Sequence, residues 1–240
     1  MKKQLYIVLI AVFCVLLIDQ VMKVWVKTTF DFTGENSVMP VFGNWFRLLY
    51  IENQGMAFGT TFGASIWAKL GLSIFRIFAS CAIAYYFIKQ WRRGAKTEFL
   101  LAIGLVFAGA TGNLIDSMFY DFIFDYDPCI SFNHLKGSGV YSDCGPWGTI
   151  ETRHTGFLLG NVVDMFQFTV EWPSWVPWYD ENGDNQIFPA IWNVADGAIS
   201  VGVIMIILRQ RKYFPKENKK KPSDESTVVS AENTELKTEE

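Results

Sequence analysis

The sequence predicts an all-α membrane protein: four transmembrane helices, long extracytoplasmic loops, and a small extracytoplasmic β element. Three observations predict it. Half of the 240 residues are hydrophobic and only 19% are charged, against about 25% charge in an average soluble domain. The apolar residues collect into four stretches, each near the ~20 residues that cross a bilayer as helix. The basic residues fall on one side of a four-span arrangement, as the positive-inside bias requires. Mean hydropathy is a modest +0.18 because the last thirty or so residues are almost all polar.

Span one covers about 5–26, and residues 5–18 contain no charge. Helix is the default in lipid, where backbone groups find no water to bond. A cleaved signal peptide is the competing reading, since Lys2 and Lys3 precede the apolar stretch. Asp19, Gln20, Lys23 and Trp25 stand where a small-residue cleavage site would be, which favours an uncleaved helix. Span two covers about 70–88 and contains Arg76, span three about 99–119 with Asp116 near its end, and span four about 187–208 with Asp196 inside it. Cys14 and Cys81 fall within spans and are expected to be buried thiols.

Lys2, Lys3, the 2–3 link (Lys89, Arg92, Arg93, Lys96) and the C-terminal segment hold fourteen of the 21 Lys and Arg residues. Both termini are therefore expected in the cytoplasm, and loops 27–69 and 120–186 outside. Residues 1–213 form one four-span domain on this reading, and 214–240 a disordered cytoplasmic tail. In the first loop, alternation through Phe46, Arg47, Leu48, Leu49 and Tyr50 suggests a short strand. The second loop is long enough to carry function or a fold of its own. Its Cys129 and Cys144 lie fifteen residues apart in a compartment that permits disulfides, and are expected to pair. The aromatic run from Trp172 to Tyr179 reads as an interfacial belt or as part of a substrate clamp.

Net charge is −3 with a pI near 5.5, which argues against a nucleic-acid partner. Four cysteines are too few for a disulfide-framed mini-protein. The two histidines, His134 and His154, have no metal-binding spacing. No Gly-x-Ser-x-Gly elbow or phosphate-cradling glycine loop is present. The short Gly109-Ala-Thr-Gly112 run is expected to let helices pack closely. Neither metal nor cofactor is expected.

Polar residues in and beside spans are functional candidates by default. Asn-x-x-Asp occurs three times: Asn113–Asp116, Asn161–Asp164 and Asn193–Asp196. On a helix, positions three apart share a face, so each copy would project an amide and a carboxyl into one cavity. The alternative is that they are helix caps, since both residue types favour helix ends. Asp164 and Asp196 stand among apolar neighbours. Two carboxyls held together there resist joint ionisation, so one stays protonated and the other charged. Such a pair activates water, one carboxylate taking its proton and the other acid polarising a carbonyl.

At this point the residues resemble the lipoprotein signal peptidase family, also called signal peptidase II. Asp19-Gln-Val-Met-Lys23, Asn53-Gln-Gly55-Met-Ala-Phe-Gly59, Gly109-Ala-Thr-Gly-Asn113-Leu-Ile-Asp116, Asn161-Val-Val-Asp164-Met165 and Phe188-Pro-Ala-Ile-Trp-Asn193-Val-Ala-Asp196 are similar to its blocks, in the family's order. The resemblance implies an aspartic endopeptidase of the bacterial cytoplasmic membrane, acting on diacylglyceryl-modified prolipoproteins in contact with membrane lipid. It implies catalytic Asp164 and Asp196, supported by Asp19, Lys23, Asn53, Gly55, Asn113, Asp116 and Asn193. Asp19 with Lys23 also reads as a plain i, i+4 ion pair, and Asn53-x-Gly55 as a plain turn. Departures are Ser117 where the family usually has Arg, Ala108 for a Gly, and longer segments at 120–160 and 167–187. Arg76 is expected to replace the missing Arg by approaching Asp116 from span two. Two other classes stay open: a proton or cation relay, and a non-catalytic lipid-binding protein. A relay would spread its polar groups through the bilayer, whereas all but Arg76 gather at one side. A binding protein would tolerate Asp→Asn at both Asp164 and Asp196.

Overall fold

The protein, described from a computed structural model, is defined over residues 2–32, 37–54, 63–181, 183 and 185–213. Gly55 with residues 56–59 of its motif, and the tail 214–240, lie outside the described residues. The chain divides into two units. Unit one runs from Met1 to Leu208; unit two, Arg209–Glu240, contains the short helix α5 (Gln210–Tyr213) among its described residues.

Among the described residues of unit one, three helices are long and apolar enough to cross a membrane: α1 (Lys2–Thr29), α2 (Ile66–Arg92) and α3 (Thr97–Ile123). All three exceed the predicted spans at both ends. The fourth helix, α4 (Val194–Leu208), has 15 residues and covers about 22 Å at 1.5 Å per residue. It is shorter than the predicted 187–208 because Pro189 resists helix and Ile191–Trp192 pair as a strand instead. Cys14 and Cys81 are exposed on α1 and α2, not buried. A thiol is apolar enough to face lipid alongside Phe13 and Phe78.

The expected strand at 46–50 is present, and the β element around it is larger than a single short strand. Strands β1 (Val38–Phe42), β2 (Phe46–Asn53), β5 (Val162–Phe168) and β6 (Ile191–Trp192) form one antiparallel sheet in the order β1-β2-β5-β6. A separate hairpin joins β3 (Val140–Asp143) to β4 (Thr149–Thr152). Pro40 sits in edge strand β1, where a missing N–H is tolerated. Val26, Phe30, Leu48, Tyr120, Val163 and Met165 make a buried core that joins α1 and α3 to β2 and β5.

Small residues let the helices approach. A Cβ on Gly109 would lie 2.2 Å from the Ala195 carbonyl oxygen of α4, and one on Gly112 would lie 2.7 Å from Asp19 Oδ2 of α1. Both contacts are shorter than real Cβ atoms accept, so α1, α3 and α4 can meet here only around glycine.

The segment between α3 and β5 is the long insertion. Cys129 and Cys144 are joined in a disulfide across it. Arg153 anchors it: the guanidinium makes a two-pronged ion pair with Asp121 at the end of α3 (2.8 and 3.0 Å), and donates to Asn133 Oδ1 (2.7 Å) and the Leu159 carbonyl (3.2 Å). Both partners of the pair are buried, and bidentate geometry makes such pairs strong.

Candidate active site

The site is built where α1, α3 and α4 meet the sheet. The third Asn-x-x-Asp copy begins α4. Asn193 is the N-cap: its Oδ1 accepts the Asp196 N–H (2.9 Å), and Asp196 Oδ2 accepts the Asn193 N–H (3.4 Å). This reciprocal arrangement is a capping box. The Ala195 N–H, another unsatisfied donor of that first turn, is taken by Asp19 Oδ1 of α1 (2.8 Å). The cap alternative therefore holds at this copy, and the same two side chains also reach Asp164 and Asn113.

Asp164 comes from β5, not a helix. Residues three apart on a strand point to opposite faces, so Asn161 and Asp164 separate. Asn161 Nδ2 turns to Asn133 Oδ1 (3.3 Å) in the insertion, while Asp164 faces the site. Ile51 of β2 pairs with Asp164, and Asn53, two residues on, shares that face as its diagonal neighbour. The pairing between Leu48 and Ile51 advances three residues on β2 against two on β5, a bulge that sets this register.

Three amides link the two carboxylates. Asn53 Nδ2 donates to Asp164 Oδ2. Asn193 Nδ2 lies 2.6 Å from Asp164 Oδ1, 3.2 Å from Asn113 Oδ1 and 3.2 Å from the Val163 carbonyl. Asn113 Nδ2 donates to Asp196 Oδ1 (2.8 Å). Asp164 is 3% exposed and Asp196 half-buried. Burial, then the charge of Asp196, push the Asp164 carboxyl well above the usual carboxylate range; Lys23 and the Asn193 hydrogen bond oppose this without reversing it.

Beneath lies a fully buried charge cluster. Lys23 Nζ meets Asp116 Oδ2 at 2.7 Å and Asp19 Oδ2 at 3.0 Å, and donates to Asn113 Oδ1 at 2.9 Å. Asp19 and Lys23 are i, i+4, yet the pair is buried and continues into Asn113. Gln20 completes it, donating to Asp19 Oδ2 and Asp116 Oδ1 (3.1 Å each) and accepting from the Tyr120 hydroxyl. Sequence reasoning did not single out Gln20, although it stands inside the first quoted motif. The structure thus brings together Asp19, Lys23, Asn53, Asn113, Asp116, Asp164, Asn193 and Asp196. Arg76 Nη1 donates to Ser117 Oγ (3.1 Å), the residue after Asp116, while Asp116 itself is held by Lys23.

On the Asp164 face, β5 continues into Phe166 and Phe168. Phe166 packs on Trp192 (4.8 Å between centroids) and Phe168 on Phe46 (5.2 Å), so an aromatic surface adjoins the carboxyls. Trp172 and Trp178 meet edge-to-face at 5.4 Å, and Trp175 is exposed. Among the described residues no three His, Cys, Asp or Glu are arranged to hold a metal ion.

A family profile described as signal peptidase (SPase) II matches residues 11–211. A protein of Porphyromonas gingivalis named lipoprotein signal peptidase is 36% identical over 198 residues, covering 80% of this chain and 77% of that protein. One of the same name from Amoebophilus asiaticus is 33% identical over 215 residues, covering 88% of this chain and 80% of that protein. A bacterial membrane enzyme solved by the in meso method at 1.9 Å resolution is similar in fold, with a TM-score of 0.50 and 24% identity over 88% of this chain and 94% of that one.

Proposed function

The chain belongs to the signal peptidase II family and is a membrane protease of it; from that premise we propose that it is an aspartic endopeptidase whose catalytic pair is Asp164 and Asp196. Its substrates are diacylglyceryl-modified prolipoproteins, cut before the lipid-bearing cysteine. The supporting observation is the asparagine relay, in which Asn53 and Asn193 hold Asp164 while Asn113 holds Asp196.

The raised Asp164 pKa makes this residue the proton carrier, and Asp196 the base. Water adds to the scissile carbonyl carbon as Asp196 takes its proton and Asp164 protonates the carbonyl oxygen. The C–N bond then breaks. The departing amine takes the proton from Asp196, and Asp164 recovers its own from the collapsing hydroxyl, leaving a carboxylic acid and an amine. Asn53, Asn113 and Asn193 orient the two carboxyls, and the Asp19–Lys23–Asp116 cluster fixes α1 against α3, with Asp19 also holding the first turn of α4 that carries Asp196. The aromatic surface beside Asp164 suits a lipid-modified segment. The distribution of basic residues supports a bacterial cytoplasmic membrane location with four crossings in residues 1–213, both termini inside, the sheet outside, and 214–240 as a cytoplasmic tail.

The test is turnover of a lipidated precursor by purified protein. Asp164→Asn and Asp196→Asn should each lose at least ~10³-fold in kcat, and the double variant little more, because the two act as one unit. Both variants should still elute folded. Substantial turnover by either, or loss of wild-type cleavage with a chelator, overturns the reading.

A further inference from the structure

Helix α2 contributes no carboxylate to the site, yet it carries a polar stripe at helical spacing. Lys69, Ser73 and Arg76 follow one another at i, i+4 and i+7, which places them on one face. That face points into the protein: Ser73 is fully buried, whereas Trp67, Ile74, Phe75 and Phe78 are exposed on the other faces. Each stripe residue donates to a different element of the site. Lys69 Nζ donates to the Gln54 carbonyl (2.8 Å), at the end of β2. Ser73 Oγ donates to the Leu158 carbonyl (2.6 Å), in the turn that leads into β5. Arg76 Nη1 donates to Ser117 Oγ on α3, one residue after Asp116.

Both carbonyls sit on segments that lead to the catalytic pair. Gln54 follows Asn53, whose amide holds Asp164. Leu158 is the single non-glycine residue with positive φ (+68°) among the described residues, so its backbone sits where L side chains seldom go and needs outside support. Lys69 makes no ion pair among the described residues, whose four salt bridges use Lys23, Lys27 and Arg153. Among the described residues ion pairing therefore does not explain an ammonium here, whereas its contact with the Gln54 carbonyl does.

We propose that Lys69, Ser73 and Arg76 are positioning residues that register β2, β5 and α3 against one another, with Lys69 acting on Asp164 through Gln54 and Asn53. The inference rests on the two-aspartate reading above. Misplacing one carboxyl by a fraction of an ångström is costly because a catalytic pair works only within narrow geometry.

The test is steady-state cleavage of a synthetic diacylglyceryl-cysteine precursor peptide by the purified full chain. Lys69→Met should lower kcat roughly 10- to 100-fold with little change in KM, and Lys69→Arg should recover much of it. In an Asn53→Ala background, Lys69→Met should cost less than about twofold, since the residue it acts through is already gone. The acid limb of the pH profile should move upward. Asp164 is faced by Asp196 from α4, Asp116 from α3 and Lys23 from α1, and Arg76 of α2 lies in the same field. Loosening the Asn53 donor destabilises the singly protonated pair against the doubly protonated one. Unchanged kcat in Lys69→Met, or its full cost repeated in the Asn53→Ala background, overturns the proposal. Where Lys69→Met does not fold, Ser73→Ala carries the test: a kcat loss with unchanged elution supports the stripe, and wild-type kcat overturns it. Failure of the two-aspartate reading is distinguishable, because it would leave Asp164→Asn or Asp196→Asn active.

Discussion

Asn193 and Asp196 exchange hydrogen bonds at the first turn of α4, so the residues that begin the helix also serve the site. The two jobs use different atoms of Asn193. Its Oδ1 caps the helix, and its Nδ2 reaches Asp164.

Asn193→Ser separates those jobs. Serine is as good a cap as asparagine, but it has no amide to reach Asp164. The variant should lose less thermal stability than Asn193→Ala while losing most turnover. Asn193→Ala should lose both, with the cap alone costing about 1 kcal/mol. Thermal unfolding in detergent beside a cleavage assay checks this, and an active Asn193→Ser would show that the donor is dispensable.

Lys23→Met leaves Asp19 and Asp116 buried without their cation. Removing one partner of a buried ion pair costs about 3–5 kcal/mol, and here one lysine serves two carboxylates. The variant should be recovered poorly or unfold at much lower temperature. Adding Asp116→Asn should restore part of the stability, because one uncompensated charge is gone. A double variant no more stable than Lys23→Met would count against this account.

The pH dependence of stability follows from Asp164. Its folded pKa is raised, so the folded state binds that proton more tightly than the unfolded one. The associated stability is present below the ordinary carboxylate range and is lost as pH rises through the folded value. Asp164→Asn removes this loss. The variant should be at least as stable as wild type at neutral pH, and its advantage should shrink toward pH 4, as read from thermal midpoints across a pH series.

The disulfide closes a separation of 15 residues, worth roughly 3 kcal/mol in the chain-entropy model. Protein extracted without reductant should yield the linked Cys129–Cys144 peptides by mass spectrometry. Cys129→Ser with Cys144→Ser should lower the thermal midpoint and leave cleavage intact, since neither cysteine touches the carboxyls. Two free thiols would contradict the pairing.

The three long helices were legible because lipid imposes one simple rule: a continuous apolar run of sufficient length. The carboxyl pair was legible because aspartates among apolar neighbours stand out. Other features needed tertiary information. Asn161-x-x-Asp164 has helical spacing, but Val162 and Val163 favour a strand, and pairing with β2 decides the matter. Pro189 already argued against a helix beginning at 187. Lys69 and Ser73 carry no signal in the sequence, because a lysine near a span end and a serine within a span are ordinary taken singly. Their common face emerges only once their three partners are seen on three elements.

The Arg153–Asp121 clamp has a consequence for how such a chain can diversify. The clamp fastens the far end of the insertion to α3 before β5 begins. The stretch between Asp121 and Arg153 is thus closed at its base, and inside it Phe132 packs on Tyr50 of β2 while Asn133 accepts from Asn161 beside β5. Its β3–β4 turn lies outside those contacts, and there surface features can be acquired or discarded without shifting the strand that carries Asp164.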